Sequence, residues 1–414
     1  MAVSLANPRA LLLWFCCCAI YAAVTPAQVK PAPAQKPPQA KPAFRPDDPL
    51  NAPAFEHFYN MDYDHSVSEF EQVLKRHPDN PLAVNHLLTA VLFQELYRMG
   101  ALDTGEYAND SFVTTPHRAA DPKAQKRIKE LADQALKLEE KQLSANSDDV
   151  DALYARGATR AAFATYTALV DRAWLSALRY AVGARRDHEH VLELNPGYTD
   201  AKLIVGAHNY VMGSLTWAVK VAVAVVGLSG SKGKGLQYLH EAADANGETS
   251  VDARIVLVVF LRREQRYDEA LQLARGLIAA YPRNLLMALE EGNLLRAQGK
   301  NSDAAAAYRA IWQAGKQGRF VGLHYEIAAI SLGALLRSQK DYYGAAAAYE
   351  LVNQVEKPDT ELAQKGNLCA GQMYDLIQKR DQAVKCYQAV ITADGGTPLA
   401  ESARKLLKAP YHGE

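Results

Sequence analysis

The sequence predicts an all-α protein, a right-handed α-solenoid of short helix pairs with one lengthened apolar helix in the middle. Three observations carry this. From Ala54 onward apolar residues recur three and four positions apart, the period of an amphipathic helix. Few stretches alternate as half-buried strands do. Small and aromatic residues also return at fixed offsets in successive windows, the mark of a repeat array. At 414 residues and 49% hydrophobic content the chain has material for a substantial core and two or three domains.

The first element is a leader. Arg9 precedes an apolar run from Ala10 to Val24, followed by small residues, the build of a secretory signal peptide cleaved after Ala27. An uncleaved membrane anchor is the alternative. Three of the five cysteines fall in this leader, so a mature chain keeps only Cys369 and Cys386. Two cysteines make no disulfide framework; they form either one bridge or two buried thiols. Residues 28–53 come next. With nine prolines between positions 26 and 53, the stretch blocks both helix and sheet ladders and reads as an extended tether.

The first 45 residues hold five basic and no acidic side chains, so the rest has 41 basic against 46 acidic, a formal charge of −5. That balance argues against a nucleic-acid partner. The body divides into a divergent helical region, 54–245, and a regular one, 246–414.

In the regular region Gly292, Gly333 and Gly371 align. Twelve residues beyond each stand Ala304, Ala345 and Ala383; sixteen beyond stand Tyr308, Tyr349 and Tyr387; nineteen beyond stand Ile311, Val352 and Val390. Further partial copies are Tyr267, Ala270, Ala274, Leu277 and Pro282, and near the start Tyr63, Ser66, Phe70, Val73 and Pro78. This register resembles the tetratricopeptide repeat. Its small residues let helices A and B approach, and its aromatic fills the space between them.

The stretch VVGLSGSKGKG, 225–235, raises three readings. A phosphate-binding loop needs G-x-x-x-x-G-K-[ST], but Leu228 stands where the first glycine belongs and Gly235 where the hydroxyl belongs. A membrane span is too short, since the sixteen residues Val211 to Val226 reach only about 24 Å as helix and include Lys220. The repeat register gives the third reading. Thirty-six residues separate Gly206 from Ala242 where nineteen are expected, so helix A is lengthened and the glycine stretch is a turn into helix B. Such an apolar helix must be enclosed by the solenoid or by a neighbouring subunit.

The middle region, about 150–300, is similar to the TatT family of periplasmic helical proteins associated with TRAP transporters. The likeness rests on Asn195-Pro196-Gly197-Tyr198, on Gly206 to Gly213, and on the glycine turn Gly227 to Gly235. The inclusion-body-clearance tetratricopeptide proteins of the mitochondrial outer membrane share a similar apolar helix and turn. The TatT resemblance implies a non-enzymatic bacterial periplasmic protein, open to oligomerisation, that docks a ligand-binding partner.

No catalytic, cofactor or metal constellation is read from the sequence. His188 and His190 are two apart and point to opposite sides of a helix, so they do not chelate one ion. The loop 100–118 offers Asp103, Glu106, Asp110 and His117 without a spacing that assigns a reaction. A binding face is easier to argue. Helix A position 12 of the repeat holds Arg262, Arg296 and Arg337, then Asp375, and Asn293 lies one turn from Arg296. Stacked arginines suit carboxylates through paired hydrogen bonds, so the expected ligand is a protein or peptide, acidic or with a free C-terminus. The sequence therefore predicts an exported, non-enzymatic tetratricopeptide scaffold. The alternatives are a TatT-like accessory enclosing an apolar ligand or pore, and an enzyme using loop 100–118.

Overall fold

The structure, a computed structural model, describes residues 44–108, 114–215 and 229–413. Among the described residues there are helices and turns and no strand. The chain forms two compact units, Met1–Arg266 and Tyr267–Glu414. The helix Ser250–Arg263 lies in the first of these, where Phe260 stacks on Tyr210 with ring centroids 3.9 Å apart.

Unit 1 holds α1 (Asn51–Tyr59), α2 (Tyr63–Arg76), α3 (Pro81–Met99), a short α4 (Thr104–Ala108), α5 (Pro122–Ala145), α6 (Val150–Leu169), α7 (Trp174–Leu194), α8 (Lys202–Ser214), α9 (Lys232–Asp244) and α10 (Ser250–Arg263). Turn chemistry sets the helix starts. Asn80, Asp121 and Asp149 each accept a backbone N–H of the first turn, and Pro81 and Pro122 stand where a missing N–H costs nothing. Gly100 ends α3 in the left-handed conformation, φ 78°. Phe58, Phe70, Leu88, Leu92 and Leu96 fill the first part of the core, and Tyr210, Leu239, Leu257 and Leu261 the last.

Of the predicted tether, 28–53, residues 28–43 lie outside the described residues. Residues 44–53 are part of unit 1: Asp48 is buried and accepts Leu50 N–H at 2.9 Å, Arg76 Nε at 2.8 Å and His77 Nε2 at 3.0 Å. Proline prevents ladders but not side-chain anchoring, and Pro53 sits in the first turn of α1, where no N–H partner is needed.

Of the segment 211–226, residues 216–226 lie outside the described residues. Helix α8 stops at Ser214 and Leu215 is extended, so the continuous lengthening of helix A is corrected there. Ser214 Oγ donates back to the Tyr210 carbonyl at 2.8 Å, a local bond that competes with helix continuation. The glycine stretch does act as a joint. Ser231 caps α9, and a Cβ on Gly235 would sit 2.5 Å from the Tyr210 nitrogen, so α8 and α9 cross backbone to backbone.

Unit 2 holds α11 (Tyr267–Ala280), α12 (Leu285–Ala297), α13 (Asn301–Lys316), α14 (Glu326–Ser338), α15 (Tyr342–Glu350), α16 (Thr360–Leu376), α17 (Arg380–Ala393) and α18 (Pro398–Lys408). The predicted register is its packing rule. A Cβ on Gly292, Gly333 or Gly371 would lie 2.4, 2.6 or 2.4 Å from the ring of Tyr308, Tyr349 or Tyr387. Ala304, Ala345 and Ala383 are fully buried beside those rings. Each turn from helix A to helix B places the residue seven beyond the glycine in the left-handed region: Gly299 at φ 74°, Lys340 at 63° and Gln378 at 61°.

Replacing Gly371 by Ala should destabilise the protein by roughly 1–3 kcal/mol, since the methyl group has to displace the Tyr387 ring. Gly276→Ala, on an open face of α11 with nothing within 4 Å, should stabilise by about 0.5–1 kcal/mol. Urea unfolding of the two variants checks the pair, and equal effects would sink the packing account.

Candidate functional site

In unit 1 the starts of three helices converge. Asp151 and Tyr154 stand in the first two turns of α6, Tyr198 and Asp200 in the turn before α8, and Glu248 just before α10. Acidic side chains are favoured at helix N-termini, where backbone N–H groups carry partial positive charge. Their convergence makes a carboxylate-rich hollow walled by two tyrosine rings, 5.0 Å apart between centroids.

Arg45 fills it. Its guanidinium carbon lies 5.2 Å from the Tyr154 ring centre and 4.6 Å from that of Tyr198. Nη1 donates to Asp151 Oδ1 at 2.7 Å and to the Tyr198 hydroxyl, Nη2 stands 3.6 Å from Asp200 Oδ2, and the Arg45 N–H donates to Glu248 Oε2 at 3.2 Å. Beside it Phe44 stacks on Phe55 at 4.5 Å. Cation–π and charge-assisted contacts of this kind are worth about 0.5–2 and 1.5–3 kcal/mol each when partly desolvated.

A second layer of polar groups lies behind. Glu248 Oε1 meets His86 Nε2 at 2.7 Å with both side chains buried, and Tyr59 donates its hydroxyl to Asp252 Oδ2 at 3.0 Å. Burial acts to raise Glu248, but His86 and Arg45 outweigh it and hold the carboxyl below its ordinary value. Burial pushes Asp252 up to about 7; the Tyr59 hydrogen bond opposes this, and Glu248 and Asp200 add to it. Asp252 is therefore the proton-bearing member of the cluster near neutral pH.

The sequence-predicted arginine face is distributed over both units. Arg262 lies in the last turn of α10 in unit 1, partly buried; Arg296 and Arg337 belong to unit 2. Arg296 is exposed and has no partner among the described residues. Asn293 is turned to packing: its Oδ1 accepts the Tyr308 hydroxyl at 2.7 Å and its amide lies 3.3 Å from Glu290. Arg337 donates to the Tyr411 hydroxyl at 3.2 Å, while Asp375 accepts the Tyr411 N–H at 2.8 Å. The C-terminal segment after α18 thus lies over the position-12 side chains of the last two helix A elements. Asp375 also takes Arg380 at 3.0 Å and the Tyr387 hydroxyl at 2.8 Å, and Arg380 donates to the Leu406 and Leu407 carbonyls.

Other sequence candidates find structural roles. His188 is buried, packs on Tyr154, contacts the Ala184 carbonyl at 2.8 Å and covers Gly157; His190 faces Asp148 at the surface. Burial lowers His188 to about 4, so it is neutral. In the 100–118 loop His117 lies between Glu106 and Arg172, each at 2.9 Å, and Arg172 also holds the Thr115 carbonyl. Asp110 lies outside the described residues. Cys369 and Cys386 are unbridged thiols. Among the described residues there is no group of three metal-ligating side chains, and no helix is long and apolar enough to cross a membrane.

The sequence missed the Arg45 hollow. Its one visible signal was Tyr198 in the Asn-Pro-Gly-Tyr step, and nothing local ties that tyrosine to an arginine 153 positions earlier.

No family model and no curated protein matches the chain. It is similar to solved helical-repeat structures. A tetratricopeptide repeat protein from Parabacteroides merdae is 15% identical, with 87% of this chain and 96% of that chain covered and a TM-score of 0.28. Yeast Tom70 is 13% identical over 87% and 88%, at a TM-score of 0.37. Human IFIT1, solved as a dimer with m7Gppp-AAAA, is 13% identical over 87% and 82%, at 0.36. These scores carry no functional argument. The secondary structure of the described residues is all helical, and the glycine–tyrosine packing of unit 2 is that of tetratricopeptide-type helix pairs.

Between its unfolded value of 3.8 and about 7, Asp252 holds a proton in the folded state that the unfolded chain has released. Its contribution to stability therefore falls as pH rises through that window and levels off above it. Asp252→Asn keeps an acceptor for Tyr59 and removes the charge. The variant should exceed the parent by about 1–3 kcal/mol at pH 8, with the difference shrinking toward pH 4, in urea titrations across that range.

Proposed function

We propose that the protein is an exported, non-enzymatic helical-repeat scaffold that binds proteins or peptide segments, in the periplasm or cell envelope of a bacterium. The observation that carries this reading is that both units already hold an extended piece of the chain by side-chain contacts. Phe44-Arg45 lies against unit 1 and Tyr411 against unit 2. Helix A side chains of this fold recur at the repeat spacing along one wall, which suits an extended ligand. In unit 2 an acidic segment or a free C-terminus would pair with the unoccupied Arg296 and replace Tyr411 on Arg337. A leader ending at Ala27 and a proline-rich tether supply export and reach.

Two measurements test this. Intact mass of protein from its native envelope should show a chain starting at Gln28; Met1 retained in membrane-held material contradicts export. A photo-crosslinking residue at position 296 should trap a protein partner. Arg296→Ala combined with Arg337→Ala should weaken that partner's binding at least tenfold, with Tm shifted by no more than about 2 °C. Early unfolding with undiminished binding would make the arginines structural.

A further inference from the structure

We infer that the carboxylate–tyrosine hollow of unit 1 is an exchangeable arginine-binding site, with Arg45 as its internal ligand and an arginine-bearing extended segment of a partner protein as its external one. This rests on the binding-scaffold reading and gives the partner's chemistry at a site other than the arginine face.

The chemistry is selective. Two tyrosine faces at 4.6 and 5.2 Å suit a flat, weakly hydrated guanidinium, and the carboxylates of Asp151 and Asp200 beside Nη1 and Nη2 suit its several fixed donors. Lysine has neither the plane nor the fork. Two carboxylates, Asp151 and Asp200, face the single guanidinium, an excess of one negative charge, while Glu248 is bonded to His86 and to the Arg45 backbone N–H. A built-in plug sized only for stability has no need of that surplus, whereas a site that recruits cations from solution uses it to draw them in.

The geometry permits exchange. The Arg45 side chain is 32% exposed and that of Asp151 is 67% exposed, so one side of the hollow opens to solvent. The plug belongs to no helix. Among the described residues it is held by one backbone hydrogen bond, the Arg45 side chain and the Phe44 stack on Phe55, whereas Asp48, three residues on, is locked by Arg76 and His77. Asn51 Nδ2 donates to the Pro46 carbonyl at 2.6 Å and fixes the chain immediately after the arginine. Residues 44 and 45 can therefore leave while α1 stays in place. Behind the site the buried Nδ1 of His86 has no hydrogen-bond partner among the described residues.

A tethered ligand competes at an effective concentration on the order of millimolar, so a free peptide binds the unmodified chain weakly and the unplugged chain well. The test uses the full chain and a labelled, blocked Gly-Phe-Arg-Pro peptide, with Gly-Phe-Gln-Pro as control, read by fluorescence anisotropy. Arg45→Ala should bind the arginine peptide at least tenfold more tightly than the parent and should reject the glutamine peptide. A folded Arg45→Ala chain that binds neither peptide, or both alike, overturns the proposal. If that variant does not fold, hydrogen exchange at the Arg45 amide of the parent decides: faster exchange with millimolar arginine peptide supports exchange, and no change overturns it. A parent dimer that the arginine peptide dissociates would give the hollow to a second copy and overturn the partner assignment. Failure of the peptide leaves crosslinking at position 296 unaffected, so the two readings fail separately.

Discussion

The contact on which unit 2 depends is defined by a missing atom. With no Cβ at Gly292, Gly333 and Gly371, a tyrosine ring of helix B lies directly on the backbone of helix A, at separations no other residue would allow. That closeness fixes the rest of the unit: alanine four residues before the tyrosine, an aliphatic three after it, and a turn short enough to force a left-handed residue. Dispersion and area burial gain from such approach because an interior at crystal-like density tolerates few voids. Unit 1 obeys the same constraint with different residues. His188 covers Gly157, and Gly206 lies against Leu239 and the Gly235 carbonyl.

This difference explains what could be read from the amino acids. Three identical glycine–alanine–tyrosine offsets left little freedom, and unit 2 follows them. In unit 1 an imidazole and a second glycine do the same work, so the register is faint although the packing is not. The turns were less legible. Gly299 advertises its left-handed backbone, but Lys340 and Gln378 occupy the equivalent position with φ of 63° and 61°, a conformation neither residue type announces. Tertiary contact overrides local preference there. Asn293 carried a similar ambiguity. Its place in the register suggested a ligand-facing amide, and only the Tyr308 hydroxyl at 2.7 Å shows it is occupied by packing.

The tether and the Arg45 hollow were illegible for a separate reason. Composition says what a segment cannot build, and a proline-rich stretch cannot build ladders. It does not say where single side chains anchor. Asp48 and Arg45 are held by residues up to two hundred positions away, a dependence that no local window contains. The acidic residues themselves follow a local rule, favourable charge at helix starts, but three starts meeting at one point is a property of stacking.

Unit 1 therefore contains an electrostatic arrangement that packing alone would not produce. Enclosed carboxylates cost free energy unless they are paired, protonated or hydrogen-bonded, and this cluster uses all three: Glu248 with His86, Asp252 with a proton and Tyr59, Asp200 with the Thr249 N–H. Well-packed apolar residues would serve stability at least as well. What the charged version adds is discrimination, because a site of fixed carboxylates and ring faces strongly prefers one cation shape and is left unsatisfied by any other. Unit 2 treats its own segment in the opposite sense, offering Asp375 to a backbone N–H and Arg337 to a phenol. Each unit thus holds a non-helical piece of its own chain, one through carboxylates and tyrosine rings around Arg45 and the other through Asp375 and Arg337 around Tyr411. Helical pairs can carry both arrangements because the side chains that hold these segments, Asp151, Asp200, Arg337 and Asp375, stand outside the glycine–tyrosine contacts that fix the helix spacing.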